Sequence, residues 1–340
     1  MNDAKCDIII PVWNQLAFTK DCIESIKKNT SGEYGLIIVD NASSDETRSY
    51  LESLKASGIL PLTLIRNSEN LGFVKAVNQG ISASVAPYIC LLNNDTIVTK
   101  GALEEMVAVA AGSADIGIVN PSSNNLGQKP AAGEPMELYA EKIRHLSGQY
   151  VELGAAIGFC MLIKREVINK IGPFDEIYGM GNFEDTDFSR KAVNAGYRCV
   201  RSCGSYVYHR ESSSFSIVRT FNEDFNRNKE IFEFRWGKPK RIAYILDDYD
   251  PNILKRVEAD ALKLARSGNW VSFFNKDGLQ LPVHSNITNV AMDARNFYLH
   301  AAFRILKKKK KFSEIFVGRE RFGKFLEAVS FIHKAKVRYY

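Results

Sequence analysis

Hydrophobic residues in the first hundred positions fall into two alternating patterns. Short apolar runs without in–out alternation ("CDIIIPV", "GLIIVD", "LTLIRN", "YICLLNND") are separated by stretches whose apolar residues recur at helical spacing. In "LAFTKDCIESIKKN" these are Leu16, Cys22, Ile23 and Ile26, which predicts a helix with one buried stripe. "SDETRSYLESLKASG" predicts a second helix, capped by Ser44 or Asp45 and ended at Gly58, and "GFVKAVNQGISAS" a third. Uniformly apolar strands separated by helices predict a parallel sheet covered on both faces, and ligands of such sheets collect at the carboxyl ends of the strands. The polar residues fall there: Asn14 after the first strand, Asp40 and Asn41 after the second, and Asn93–Asp95 after the fourth.

The pattern then changes. Between about 120 and 150, "NPSSNNLGQKPAAGEP" predicts a loop-rich insert or flap. "GAAIGFCMLIKREVINKIGPFDE" reads as a strand, a short helix and a Gly-Pro break. "GNFEDTDFSRKAVNAGYRCV" follows as a carboxylate cluster, a helix ending at Gly196 and another strand, and the "SYVY" of "SYVYHRESSSFS" reads as a further strand. Near Trp236 a linker, "RWGKPKR", opens a second α/β set with "RIAYIL", "WVSFF", "ITNVAMD", "EIFVG" and a last strand "KVRYY". A parallel sheet rarely stops on an uncovered strand, so a longer polypeptide is expected. The expected division is 1–237 and 238–340.

Charge supports two modules. Net charge is +6, yet residues 238–340 carry 21 Lys and Arg against 10 Asp and Glu, and the remainder 24 against 29. The basic module could face phosphate, a membrane surface or an anionic partner, while "KKKKK" at 307–311 alone reads as a solvated helix end. The six cysteines show no CxxC pair and read as small buried hydrophobes. No run approaches the roughly 18 apolar residues of a membrane span, and the N-terminal apolar run is too short for a secretory signal. The expected location is the cytoplasm.

Three places could carry chemistry. An "NND" turn at 93–95 is by itself an ordinary strand end, but Asp95 is also a workable anchor for a divalent cation, which needs few protein oxygens. In "EDTD", Glu184 and Asp185 adjoin at a helix start. They read as dipole-favoured capping, with Asp187 and Arg190 as an i,i+3 pair, or as carboxylates whose mutual repulsion raises one pKa toward that of a general base. The preceding "YGMGN" predicts a flexible approach. His209 ends an apolar strand beside Arg210 and hydroxyls suited to a diphosphate, although a lone histidine is more often structural.

Seven segments occur in order: "IIIPVWN", "IIVDNASSD", "NLGFVKAVNQG", "LLNND", "GFCMLIKREVINKIGPFDE", "FEDTDFSRKAVNAGY" and "YHRESSSF". Over about 240 residues the chain resembles the family 2 inverting glycosyltransferases of the GT-A fold, in particular the bacterial rhamnosyltransferase-like members that build surface polysaccharides such as O-antigen. The resemblance implies a Rossmann-like, mixed and mostly parallel sheet and a nucleotide-sugar donor, dTDP-rhamnose or a UDP-sugar. It implies a saccharide or polyprenyl-diphosphate-linked acceptor, a cofactor of Mn2+ or Mg2+, and no nucleic acid. Pro11, Asn14, Asp40, Asn70, Gly72, Asn78 and Asn94 would line the donor nucleotide. Asp95 and His209 would face the metal and diphosphate, Asp185 would be the catalytic base, and Glu184 would hold the acceptor. Asn93 departs from the family's Asp-x-Asp element, which removes one charge from the metal side. The second module resembles half of a two-domain GT-B transferase by pattern only. It reads as a docking or acceptor module, or the start of a second transferase, and its charge makes it a candidate for peripheral contact with the inner face of a membrane.

Rival classes fare unequally. A dinucleotide dehydrogenase lacks its G-x-G-x-x-G, and a nucleotide-sugar pyrophosphorylase lacks a Gly-rich basic loop after the first strand, where "PVWNQLAF" stands. A nucleotide-sugar-binding module without activity stays open.

Overall fold

Apolar runs that do not alternate must be buried on both faces, and they are. The elements of the N-terminal part are β1 (Cys6–Val12), α1 (Leu16–Asn29), β2 (Tyr34–Asp40), α2 (Thr47–Ser57), β3 (Leu62–Arg66), α3 (Phe73–Ala83) and β4 (Tyr88–Leu92). Then come β5 (Thr96–Val98), α4 (Ala102–Ala111), β6 (Ile116–Ser122), α5 (Met136–Ile143), β7 (Tyr150–Leu153), β8 (Cys160–Lys164) and α6 (Arg165–Ile171). The series ends with α7 (Glu184–Asn194), β9 (Arg198–His209) and α8 (Phe221–Trp236). The computed structural model describes residues 5–31, 33–210, 221–247, 250–276, 279 and 281–340. It divides into one unit of residues up to Val151 with Ala155–Trp236, and a second of Glu152–Gly154 with Gly237–Tyr340.

The first unit is one sheet in the order β3-β2-β1-β4-β8-β6-β9-β5, with β7 paired to β9. The pairs β3–β2, β2–β1 and β1–β4 are parallel. Strand order reverses between β1 and β4, which opens a crevice at their carboxyl ends. β4 pairs only with Cys6–Ile9, so Pro11 lies beyond that pairing, where a missing N–H is tolerated. The opening therefore lies where β1 gives way to Asn14 and β4 to Asn93–Asp95.

The sheet is mixed and mostly parallel, as the resemblance implies, with β8 antiparallel to both β4 and β6. Three local expectations need correction. Residues 120–150 are not simply loop, since β6 ends within them, a 3-10 turn covers Asn124–Leu126, and α5 follows. "RCV" and "SYVY" are one strand, β9, in which the polar "RSCGS" is absorbed by a bulge: Asn120 pairs Arg201, yet Ser122, only two residues on, pairs Tyr206. α2 also starts later than its capping residues suggested, with Asp45 accepting the Thr47 N–H at 2.9 Å. The five fully buried cysteines and the half-buried Cys203 are all free, as expected of small hydrophobes.

Helix α3 packs on β1 through a glycine. A Cβ at Gly80 would lie 2.3 Å from Cγ2 of Ile9, a stiff β-branched side chain in the sheet centre. Gly80→Ala is expected to destabilise this unit by about 1–3 kcal/mol despite alanine's higher helix propensity. Urea unfolding checks it; an unchanged midpoint would mean that α3 sits farther from the sheet.

The second unit contains β10 (Arg241–Leu246), α9 (Pro251–Arg266), β11 (Trp270–Lys276), β12 (Ile287–Met292), α10 (Phe297–Lys307), β13 (Glu314–Val317), α11 (Glu320–Ala328), α12 (Ser330–His333) and β14 (Lys336–Tyr339). Its sheet is parallel throughout, in the order β12-β11-β10-β13-β14, a Rossmann-like arrangement. Among the described residues no helix is long and apolar enough to cross a membrane.

Candidate active site

Three groups of polar residues mark the first unit, two at strand ends and one at a helix start. The first surrounds the ends of β1, β2 and β3. Asn14 adopts a left-handed backbone (φ 57°), its N–H donates to Ser43 Oγ at 2.8 Å, and its Oδ1 accepts the Ser44 N–H at 2.8 Å. Asp40 is almost fully buried. Its Oδ1 accepts the Ser43 N–H at 2.9 Å and its Oδ2 pairs with the Arg66 guanidinium. Asn41 joins this group to the next loop: its Oδ1 accepts the Leu71 N–H at 3.0 Å, and its amide donates to Asn70 Oδ1 at 2.6 Å and to the Gly72 carbonyl at 3.2 Å. Gly72 combines φ 86° with a close approach, since a Cβ there would lie 2.9 Å from the Gly179 carbonyl oxygen. Thus Asn14, Asp40, Asn70 and Gly72 are brought together at these strand ends, where β1 also carries Pro11. Asn78 is turned elsewhere, its amide donating to the Phe174 carbonyl and its Oδ1 accepting the Phe174 N–H.

The second group forms because β5 and β9 pair antiparallel with Thr96 opposite His209. That register sets Asp95 beside His209, with Nε2 at 3.1 Å from Oδ1. The 3-10 turn fixes the histidine: Asn124 exchanges two hydrogen bonds with the His209 backbone, and the Asn125 amide contacts Nδ1. Asn94 points the other way, donating to Thr19 Oγ1 at 3.0 Å. The hydroxyl-rich part of "HRESSSFS", from residue 211 on, lies outside the described residues.

The third group is the carboxylate pair at the start of α7. Asn182 and Phe183 are both left-handed (φ 73° and 72°), an uncommon conformation for non-glycine residues that turns the chain sharply into the helix. The "YGMGN" approach is not loose: the Asn228 amide donates to the carbonyls of Tyr178 and Gly181 at 2.9 and 2.8 Å. Asp187 does not pair with Arg190. Its carboxylate takes Tyr178, Arg235, Trp236 and Lys191, which makes it a structural tie between α7 and α8.

Glu184 and Asp185 differ in a way that matters for chemistry. Glu184 is buried and its Oε2 has no hydrogen-bond partner. Burial, with the neighbouring Asp185 adding to it, pushes the Glu184 carboxyl up to about 8, so most of it is protonated at neutral pH. Asp185 is only partly buried. Burial raises its pKa too, but its Oδ2 accepts the Gly158 N–H at 3.0 Å and its Oδ1 the Thr186 N–H at 2.6 Å, and both bonds favour the anion. The two carboxyls thus differ: Glu184 holds its proton tightly, while two backbone N–H groups favour the anion at Asp185. Residues 158 and 159 join this group to the second. Gly158 binds Asp185, while the Phe159 ring stacks on His209 at 5.2 Å and its carbonyl accepts the Asn93 N–H at 2.8 Å.

A pH dependence follows. Glu184 binds its proton more tightly in the folded chain, at about 8 against an ordinary 4.5. Its favourable contribution is therefore complete below pH 4.5 and is lost as pH rises toward 8. Glu184→Gln mimics the protonated form, so the stability of this variant relative to the parent should increase from pH 5 to pH 8. Urea unfolding at both values checks the sign; a pH-independent difference would mean that the carboxyl is not held protonated.

A Rossmann-like half-sheet continued by an antiparallel strand, with acidic residues collected at the strand ends, is a layout that receives a ligand at those ends. Residues 7–172 match glycosyl transferase family 2. An uncharacterized glycosyltransferase of Haemophilus influenzae is 24% identical over 322 residues, covering 91% of this chain and 92% of its own length. An uncharacterized protein of Sinorhizobium fredii is 26% identical over 267 residues, 72% of this chain, which spans only 29% of that relative. A mannosyltransferase of Pyrobaculum calidifontis, solved with GDP-Man and Mn2+, has the same fold with a TM-score of 0.50 at 19% identity, over 62% of this chain and 58% of that one. Within the first unit, residues 7–172 thus form a glycosyl transferase family 2 domain.

Proposed function

We propose that the first unit transfers a sugar, with inversion, from a nucleotide diphosphate donor to a hydroxyl of a saccharide or lipid-linked saccharide in surface polysaccharide synthesis. The observation that carries this is the contrast within the carboxylate pair: Asp185 accepts two backbone N–H groups, whereas Glu184 is buried with one oxygen unpartnered. Asp185 takes the proton of the acceptor hydroxyl as its oxygen bonds to the anomeric carbon. The bond from that carbon to the diphosphate breaks, and its electron pair leaves with the nucleoside diphosphate. Glu184, protonated, donates a hydrogen bond that orients the acceptor. Pro11, Asn14, Asp40 and the Asn70–Gly72 turn flank the nucleoside. Asn78 and Asn94, committed to Phe174 and Thr19, act through the shape of the pocket.

The donor set suits a divalent cation of the Mn2+ or Mg2+ kind. Among the described residues no three His, Cys, Asp or Glu side chains group as a metal cage. One carboxylate and one imidazole, Asp95 and His209, face each other at 3.1 Å, and cations that serve phosphates need little more from the protein. The imidazole tilts the choice toward Mn2+. With the Asn125 amide nitrogen on Nδ1, His209 donates Nε2–H to Asp95; turning that amide over places its oxygen on Nδ1–H and frees the Nε2 lone pair for a ligand role. When bound, the cation would neutralise charge on the departing diphosphate.

The rhamnosyltransferase resemblance favours dTDP-rhamnose, with UDP-sugars next; the GDP-Man of the mannosyltransferase adds a third base to test. A panel of nucleotide sugars screened by thermal shift should raise the melting temperature for one base class, and more with Mn2+ than with EDTA. No shift with any nucleotide sugar would contradict the proposal.

A further inference from the structure

The second unit contains a cavity of about 790 Å³ that plays no part in the reaction above. It opens along the free edge of the sheet, between β12 and α10. The register pairs Ser272 with Thr288 and Phe274 with Val290, so both hydroxyls fall on the face that meets the cavity. Helix α10 buries Phe297, Ala301, Ala302 and Ile305, and the stripe next to them, His300, Phe303, Arg304 and Lys307, lines the opening. Lys308 completes it.

The charge there is not compensated. Among the described residues Arg304, Lys307 and Lys308 take part in no ion pair. Among the described lining residues the only carboxylate is Asp293, whose Oδ1 accepts the Arg295 N–H at 2.7 Å. Burial, with Arg241 and Arg304 repelling, holds Lys308 below the usual lysine range. The Lys307 and Lys308 ammonium groups rest on aromatic faces, 4.1 Å from Phe303 and 4.2 Å from Phe312, which keeps two flexible cations localised.

We propose that this groove binds a phosphate group, held by Arg304, Lys307 and Lys308 with the hydroxyls of Ser272 and Thr288. A phosphate offers acceptor oxygens to all five donors, which a planar carboxylate does not. The volume exceeds one phosphate, so the ligand is a phosphate ester whose remaining part lies against Val290 and Phe303. Phe303 is 57% exposed and Leu299, on the same helix, 70% exposed, which suits an ester with an apolar tail. The two sources of this chemistry are a phospholipid headgroup and a water-soluble phosphate ester. The proposal stands independently of the transfer reaction.

The test uses the full chain in EDTA, with two probes: cosedimentation with phosphatidylglycerol–phosphatidylcholine vesicles against phosphatidylcholine alone, and calorimetric titration of glycerol phosphate. Arg304→Gln with Lys308→Gln should weaken whichever binding occurs by at least about tenfold. Lys309→Gln with Lys310→Gln, an equal loss of charge outside the lining, should weaken it less. Thr288→Asp, which sets a carboxylate in the groove from the edge strand, should act like the first pair and serves if that pair fails to fold. Sensitive vesicle binding assigns a lipid headgroup, and sensitive glycerol phosphate binding a soluble ester. No binding by either probe, or equal loss in both double variants, overturns the site.

Discussion

Asp185→Asn should lower the rate of sugar transfer by about 100- to 10,000-fold, the range spanned by a general base, while leaving donor affinity unchanged. The asparagine oxygen can still accept a backbone N–H from Gly158 or Thr186, so the start of α7 should hold its shape. What is lost is the charge. Without it the acceptor proton has no base, since Glu184 already carries one. Single-turnover kinetics beside donor titration separates the two quantities; retained turnover would remove Asp185 from the base role. In Glu184→Gln the pattern should differ: acceptor KM is expected to change little at pH 7, and an alkaline fall in activity near pH 8 should disappear.

The second large effect is expected at the ligand pair. Asp95→Ala should weaken donor binding in Mn2+ by at least about tenfold and abolish the difference between Mn2+ and EDTA. The alanine removes the carboxylate that His209 faces, and Asn93 supplies no second charge on this side. A calorimetric titration of donor into parent and variant, each with and without Mn2+, reads the effect directly. Parent affinity that ignores the cation would contradict the role given to Asp95.

Much of this was legible in the sequence because local pattern determined it. The α1 boundaries follow from the spacing of Leu16, Cys22, Ile23 and Ile26, and Gly58 caps α2 in the left-handed form its position called for. The carboxylate pair could be put at a helix start because acidic residues favour it. Residues whose role depends on distant partners were not legible. Gly158 and Phe159 sit inside an ordinary apolar run, and nothing local announces that they bind Asp185 and stack on His209. Asn41 was visible as a strand-end residue, but not as the bridge to the Asn70–Gly72 turn. Arg66, the last residue of β3, had one signal available: a cation at a strand's carboxyl end. Asn124, Asn125 and Asn228 are amides in polar stretches, and their partners, backbone groups for Asn124 and Asn228 and the His209 ring for Asn125, lie far along the chain.

The most direct measurement is the anomeric configuration of the product. One base, one displacement and no covalent sugar intermediate require the new bond to have the configuration opposite to that of the donor. With the donor identified from the thermal-shift panel, NMR of the product reads that configuration, which the new glycosidic bond fixes at the anomeric carbon. The account predicts inversion. Retention would contradict a single in-line displacement and, with it, the base role given to Asp185.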